Sequence, residues 1–199
     1  MSSSNVKTAT ESEQDAVIDA LKLAFVADPA TRWVWPDSQK YLLHFSKFAK
    51  AFGGKAFEQN TAHYTGNYSG AALWLPPNVG PDVDTLLGLI RDTTSEEAQN
   101  IVPQVFEKMG GYHPNEPHWY LPLLGVDPHH HGKGLGSLLM KHALSICDKE
   151  SMLAYLESSN PRNIQFYKRH GFELLGTIQV DSFPPIFPML RKAQKLSRG

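Results

Sequence analysis

The segment His129-His130-His131-Gly132-Lys133-Gly134-Leu135-Gly136-Ser137 constrains this chain more than any other stretch. Glycines alternate with a lysine and a leucine. An apolar run from Tyr120 to Val126 leads in, and a helix-patterned segment from Leu138 to Asp148 leads out. Strand, tight glycine turn and helix start, in that order, build an anion site. The first N–H groups of a helix have no partner within the helix, and its dipole adds partial positive charge there. Glycine lets a phosphate approach where a Cβ would stand. The loop is therefore expected to hold a phosphorylated ligand, the alternative being a glycine-rich turn that binds nothing.

The common nucleotide signatures do not fit. A Walker loop needs Gly-x4-Gly-Lys-Ser/Thr, whereas Gly134 follows Lys133; the dinucleotide fingerprint Gly-x-Gly-x-x-Gly, begun at Gly134, meets Leu139 at its last position. A net charge of −1 gives no reason to expect a nucleic acid or an anionic membrane as partner. The single cysteine, Cys147, excludes an internal disulfide and suits a reducing compartment. No apolar run approaches the ~18 residues of a membrane span, and the polar start does not read as a signal peptide. A cytoplasmic chain is expected.

At 199 residues a single domain is expected, with residues 1–5 disordered. A short strand is expected at Val6 to Thr10. An amphipathic helix follows, capped by Ser12 and ending near Asp28-Pro29. Trp33-Val34-Trp35-Pro36 reads as a proline-bounded loop, ahead of a helix carrying Tyr41, Leu42, Phe45, Phe48 and Phe52 on one face. Strands are expected at Lys55 to Tyr64 and Ala71 to Leu75, joined through Gly66-Asn67. Residues 78–117 read as an insertion of two helices, about Asp82 to Asp92 and Glu96 to Met109. His118 to Val126 is apolar enough for an interior strand, although Pro122 lies inside it and marks a bulge. After the glycine helix come a short strand (Leu153 to Leu156), a short helix (Pro161 to Arg169) and final strands at Phe172 to Val180 and Ile186 to Leu190. Strands and helices mixed around one sheet give an α+β or α/β three-layer domain.

At the glycine loop the residues carry a family resemblance. Asp127-Pro128-x-x-His131-Gly132-Lys133-Gly134-Leu135-Gly136-Ser137-x-Leu139 resembles motif A of the GNAT acetyltransferases, Gln/Arg-x-x-Gly-x-Gly/Ala. Asn160-x6-Tyr167-x3-Gly171-Phe172 resembles that family's Asn…Tyr…Gly-Phe block, and together the two blocks cover about residues 118–175. Leu156-Glu157-x-x-Asn160-Pro161-Arg162-Asn163 through Gly171-Phe172, with Pro188-Met189-Leu190-Arg191, is similar to the puromycin N-acetyltransferase-like branch. His131 stands where Gln or Arg is usual; its side chain can still donate one hydrogen bond, but a neutral histidine brings no charge.

The resemblance implies a mixed, mostly antiparallel sheet flanked by helices, with a splayed strand pair at an acetyl-CoA site. It implies acetyl-CoA as cosubstrate, held by Leu124, Gly125 and Val126, by His131, Gly132, Lys133, Gly134, Leu135, Gly136 and Ser137, and by Asn160. It also implies direct transfer to an amine, with Tyr167 as the acid that protonates the leaving thiolate. For the base, Glu157, His118 and Tyr120 are candidates, and any of them can equally be structural. No metal is expected: adjacent histidines cannot converge on one ion, and His113 and His118, five apart, suit neither a helix nor a strand. Cys147 reads as a packed thiol. Trp33 and Trp35 are the aromatics most expected at an acceptor pocket, with Phe45, Tyr64, Trp74 and Trp119 more probable in the core, and 78–117 as a pocket wall. The acceptor is expected to be a small-molecule amine; a protein amine or a non-catalytic acyl-CoA sensor are the alternatives, and a homodimer stays open.

Overall fold

A computed structural model describes residues 5–194. The expectation for the first five residues falls, save for Asn5, outside the described residues. In chain order the elements are β1 (Val6–Thr8), α1 (Gln14–Ala24), α2 (Pro29–Val34), α3 (Ser38–Gly53), α4 (Lys55–Glu58), β2 (Ala62–Thr65), β3 (Gly70–Leu75), α5 (Val83–Thr93) and α6 (Glu96–Gly110). They continue with β4 (His118–Val126), α7 (Leu135–Lys149), β5 (Leu153–Ser158), α8 (Ile164–Arg169), β6 (Glu173–Leu174) and β7 (Phe187–Arg191).

The strands form one seven-stranded sheet in the order β1-β2-β3-β4-β5-β7-β6. Every neighbouring pair is antiparallel except β4 with β5, which is parallel. Successive strand residues point to opposite faces, and the sheet buries both. On one face Leu73, Leu75, Tyr120, Leu123 and Tyr155 pack with Leu21, Phe45, Phe52, Leu86 and Val102 from α1, α3, α5 and α6. On the other, Ala72, Trp74, Leu121, Leu156 and Met189 pack with Leu139, Met140, Leu144 and Tyr167 from α7 and α8. The three-layer arrangement follows from this alternation.

Several local expectations are corrected. The cap ahead of α1 is Thr10, not Ser12: Glu13 accepts from the Thr10 N–H and from its hydroxyl, both at 2.9 Å, a reciprocal box that begins with a short 3₁₀ turn. The aromatic stretch is not all loop. Asp28 caps a new helix, accepting from Thr31 N–H at 3.0 Å, with Pro29 in its first turn, so Trp33 and Val34 end α2. Lys55 to Tyr64 is not one strand. Lys55–Glu58 makes a further helical turn after Gly54, and only Ala62–Thr65 pairs with β3. Phe172 to Val180 shrinks to the two residues of β6 and a single bridge between Ile178 and Ile186.

The sheet opens between β4 and β5. They pair from His118 with Leu153 to Leu121 with Leu156, and there pairing stops. Both strands run on: β4 stays paired to β3 as far as Val126, and β5 stays paired to β7 through Glu157 and Ser158. Pro122 is the first β4 residue beyond the last shared pair. The β3–β4 register also shifts here, Leu73 facing Leu123 but Leu75 facing Tyr120, so β4 carries one extra residue. A residue without an N–H is tolerated where strands part and a bulge interrupts the ladder. Far from this opening, Arg191 of β7 makes a bidentate pair with Asp148 of α7, at 2.7 and 2.8 Å, fastening the last strand to the glycine helix.

Candidate active site

The glycine loop forms as its composition demands. Asp127 accepts from the His129 N–H at 2.9 Å and starts a 3₁₀ turn over Pro128–His130. Gly132 and Gly134 then take left-handed backbone angles, φ 75° and 78°, which favour glycine. Gly134 caps α7, and its carbonyl accepts from the Leu138 N–H at 3.0 Å. A Cβ on Gly132 or Gly134 would meet nothing within 4 Å. The loop thus leaves a space beside the free N–H groups of the first turn of α7, a cradle that suits a pyrophosphate.

This cradle opens into a cavity of about 910 Å³ that runs along the parted edge of β4. Leu124, Gly125, Val126, His131, Gly132, Gly134, Leu135, Gly136, Ser137, Asn160, Tyr167 and Glu157 all border it. Of the residues expected to hold acetyl-CoA, Lys133 alone does not: its Nζ lies 3.3 Å from His130 Nδ1. His131 takes a different part from the expected one. Its Nε2 donates to the Val126 carbonyl at 2.9 Å, so the ring braces the loop against the strand and occupies one of the β4 backbone groups. A brace needs a donor but no charge, which explains how a histidine serves at this position.

Asn160 caps the turn before α8, accepting from the Arg162 N–H at 3.0 Å, while bordering the cavity. Tyr167 is buried on α8, and burial first, then the negative field of Asp28, push its phenol well up from its ordinary value. It is thus fully protonated at neutral pH, as a proton donor must be. If it supplies the thiolate's proton, Tyr167→Phe is expected to lower turnover about tenfold to a hundredfold while leaving acetyl-CoA affinity nearly unchanged. Equal losses in turnover and affinity, measured by steady-state kinetics and calorimetry, would show that it only packs.

Glu157 lies just past the last β4–β5 pair. Its side chain is 3% exposed, with Oε1 3.2 Å from His113 Nε2, yet that oxygen has no hydrogen bond among the described residues. Tyr120 and Tyr155 neighbour it; burial and then the Glu157 charge push both phenols up. Tyr120 is therefore no base at neutral pH, and His118 lies behind His113, away from the cavity's border.

Beyond the catalytic edge the cavity is apolar. Trp35 of the α2 end, Phe48 and Phe52 of α3, Ile90 of α5, Val102, Phe106 and Met109 of α6, and Phe183 line it. Two of the helical walls come from the inserted segment, as expected. Trp35 is both core and lining, with Nε1 donating to Thr93 Oγ1 at 3.1 Å. Trp33 packs edge-on against Phe183 and does not border the cavity. Phe45, Tyr64, Trp74 and Trp119 are core. Burial pushes the Cys147 thiol up to about 12, so it is inert and stands apart from the cavity.

One residue of the site was not anticipated. Asp28, read only as a helix boundary, is a buried carboxyl on the cavity wall. It accepts from the Thr31 N–H and the Ser159 hydroxyl, and burial pushes its carboxyl up from the ordinary value. The Asp-Pro cap was the only signal for it, and a cap says nothing about what lies across the cavity.

Residues 26–172 match the model of the acetyltransferase (GNAT) family. The chain belongs to that family. A peptidyl-lysine N-acetyltransferase, YjaB, of Salmonella typhimurium is 30% identical over 71 residues, 36% of this chain and 48% of the relative. The chain thus spans about half the length of the curated relatives it matches first. Among solved structures, one titled histone acetyltransferase HPA2 and related acetyltransferase, from Corynebacterium glutamicum, is 25% identical and covers 98% of both chains at a TM-score of 0.68. A mosquito arylalkylamine N-acetyltransferase-like protein shares the fold at TM-score 0.68 and 15% identity, over 96% of this chain and all of its own. No helix among the described residues is long and apolar enough to cross a membrane.

Proposed function

We propose that this GNAT protein transfers the acetyl group of acetyl-CoA to the primary amine of a small molecule with an apolar body. The observation that carries the reading is the buried Glu157 carboxylate, whose Oε1 has no hydrogen bond among the described residues, bordering a cavity whose far end is apolar. A buried carboxylate favours a cation beside it, and an ammonium group arriving there supplies one. Trp35, Phe48, Phe52 and the α5–α6 wall receive the hydrocarbon part of the same molecule. The resemblance of the Leu156–Phe172 stretch to the puromycin-type branch supports a small acceptor too.

The substrate supplies an acetyl thioester; the rest is done by side chains of this chain. The first turn of α7 and the Gly132–Gly134 turn hold the pyrophosphate. The unpaired edge of β4 pairs with the pantetheine arm as an added strand would. Glu157 takes a proton from the bound ammonium, freeing the nitrogen lone pair for attack, and Tyr167 gives its proton to the departing sulfur. Apolar walls keep water from competing for the acyl group.

A lysine side chain offers the same amine, so a peptide substrate is the competing reading. A panel of aryl- and alkylamines, polyamines and lysine peptides, assayed with acetyl-CoA for thiol release, separates them. Apolar primary amines should turn over best. Preference for lysine peptides would overturn the small-amine reading. Acetyl-CoA alone at 100 times its Kd should stabilise the fold by about 2.7 kcal/mol, and no thermal shift would remove the cosubstrate as well.

A further inference from the structure

Behind Glu157 stands a chain of polar atoms that the reaction so far does not use. It begins at the surface end of β4. His118 Nδ1 lies 2.8 Å from the Glu116 carbonyl oxygen. A carbonyl only accepts, so Nδ1 carries the hydrogen, and the neutral ring presents a lone pair at Nε2. That lone pair lies 3.0 Å from His113 Nδ1, which must therefore donate. That leaves His113 Nε2 as the nitrogen free to take or give a proton, and it faces Glu157 Oε1 at 3.2 Å. One proton moving across that gap passes between carboxylate and ring.

Packing holds the arrangement. The His113 ring lies between Tyr120 and Tyr155, with centroids at 4.7 and 4.4 Å. Its own side chain is 29% exposed, whereas Glu157 is sealed from solvent. Burial keeps His118 below its ordinary value, despite the Glu116 carbonyl and the charges of Glu157 and Glu116 that raise it. It is therefore neutral where an amine acetyltransferase works. The remaining ionisable neighbours are the phenols of Tyr112, Tyr120 and Tyr155.

We infer that Glu157 and His113 form a single two-stage base, in which His118 sets the tautomer that turns the His113 lone pair toward the carboxylate. The inference rests on the small-amine reading of the cavity. In the first stage an N–H bond of the bound ammonium breaks and an O–H bond forms at Glu157. In the second, that O–H breaks as an N–H forms at His113 Nε2. The imidazolium, its charge shared through Nδ1–H with His118, then loses one proton to water. The sealed carboxylate is thereby reset without water entering the acyl-transfer site. Glu157 is the catalytic residue of the pair; His113 and His118 act through it.

The test uses the amine that turns over best. His113→Gln should lower kcat about tenfold to a hundredfold, with the KM for the amine and the Kd for acetyl-CoA within about twofold of wild type. The acid limb of its kcat–pH profile should move from the imidazole range toward the carboxylate range. Combined with Glu157→Gln, it should cost no more than Glu157→Gln alone, because the two act as a unit. His118→Leu should resemble His113→Gln, and His118→Gln, which keeps an acceptor, should recover most of that loss. Nitrogen-15 spectra of the wild-type rings should show the hydrogen of His118 on Nδ1, and this readout stands even where a variant folds poorly. A hydrogen on Nε2 of His118, or a His113→Gln enzyme with wild-type kcat and pH profile, overturns the two-stage base and leaves the amine acetyltransferase intact. Absence of turnover with every amine overturns both.

Discussion

Glu157→Gln should lower kcat for amine acetylation by about 10²-fold to 10⁴-fold, the range over which a positioned base contributes, while acetyl-CoA binds as to wild type. The carboxylate sits beyond the last β4–β5 pair, bordering the same cavity as Tyr167 but outside the glycine cradle. Its loss removes the proton acceptor and leaves the phosphate contacts alone. The same substitution should not destabilise the fold. Oε1 has no hydrogen bond among the described residues, so an isosteric neutral amide gives up only the approach to His113 while removing a buried charge. A melting temperature at or above wild type, together with the loss of kcat, is the expected pattern. A large fall in both would make Glu157 a structural residue.

Gly134→Val should abolish the acetyl-CoA thermal shift. Gly134 has φ 78°, and a Cβ there meets no atom within 4 Å. A valine therefore does not clash inside the free protein. It must instead hold a left-handed conformation that costs an L-residue about 1–2 kcal/mol and a β-branched one more. It also projects two methyl groups toward the space the phosphates need. A modest fall in the melting temperature of the free protein and complete loss of the ligand-induced rise are expected, read by calorimetry with and without acetyl-CoA. Gly136→Ala is the control. Gly136 has no positive φ, and its Cβ would stand 3.5 Å from the Phe166 ring, an ordinary contact. A Gly134→Val protein that binds as wild type would rule out the cradle.

The glycine loop of the candidate site was legible in the sequence because its geometry is local. A glycine turn and the first turn of a helix are contiguous, so Gly132 to Ser137 read directly as an anion loop. The acceptor half is built from side chains far apart in the chain. Glu157 and His113 touch across 44 positions; no spacing rule brings them together, and His113 and His118, five apart, suited neither a helix nor a strand. The turn over residues 111–117 that folds one ring back onto the other has no pattern of its own. Lys133 lies within the same contiguous loop, but its side chain is turned to His130 rather than to the cavity. Local fold errors have similar causes. Asp28-Pro29 ends one helix and begins another with the same residues, and Lys55 to Tyr64 is apolar enough for a strand while Gly54 permits one more helical turn.

The parting of β4 from β5 also bears on self-association. A sheet is most vulnerable to association where a strand offers unpaired backbone groups, and here such a margin lies within the sheet rather than at its rim. Any extended segment able to enter the cavity could pair with it. Pro122, which interrupts the ladder at the point of parting, shortens the stretch on offer, and the helices around the cavity restrict access to it. If the pantetheine arm lies along the same margin as proposed, saturation with cosubstrate should also slow strand-to-strand aggregation.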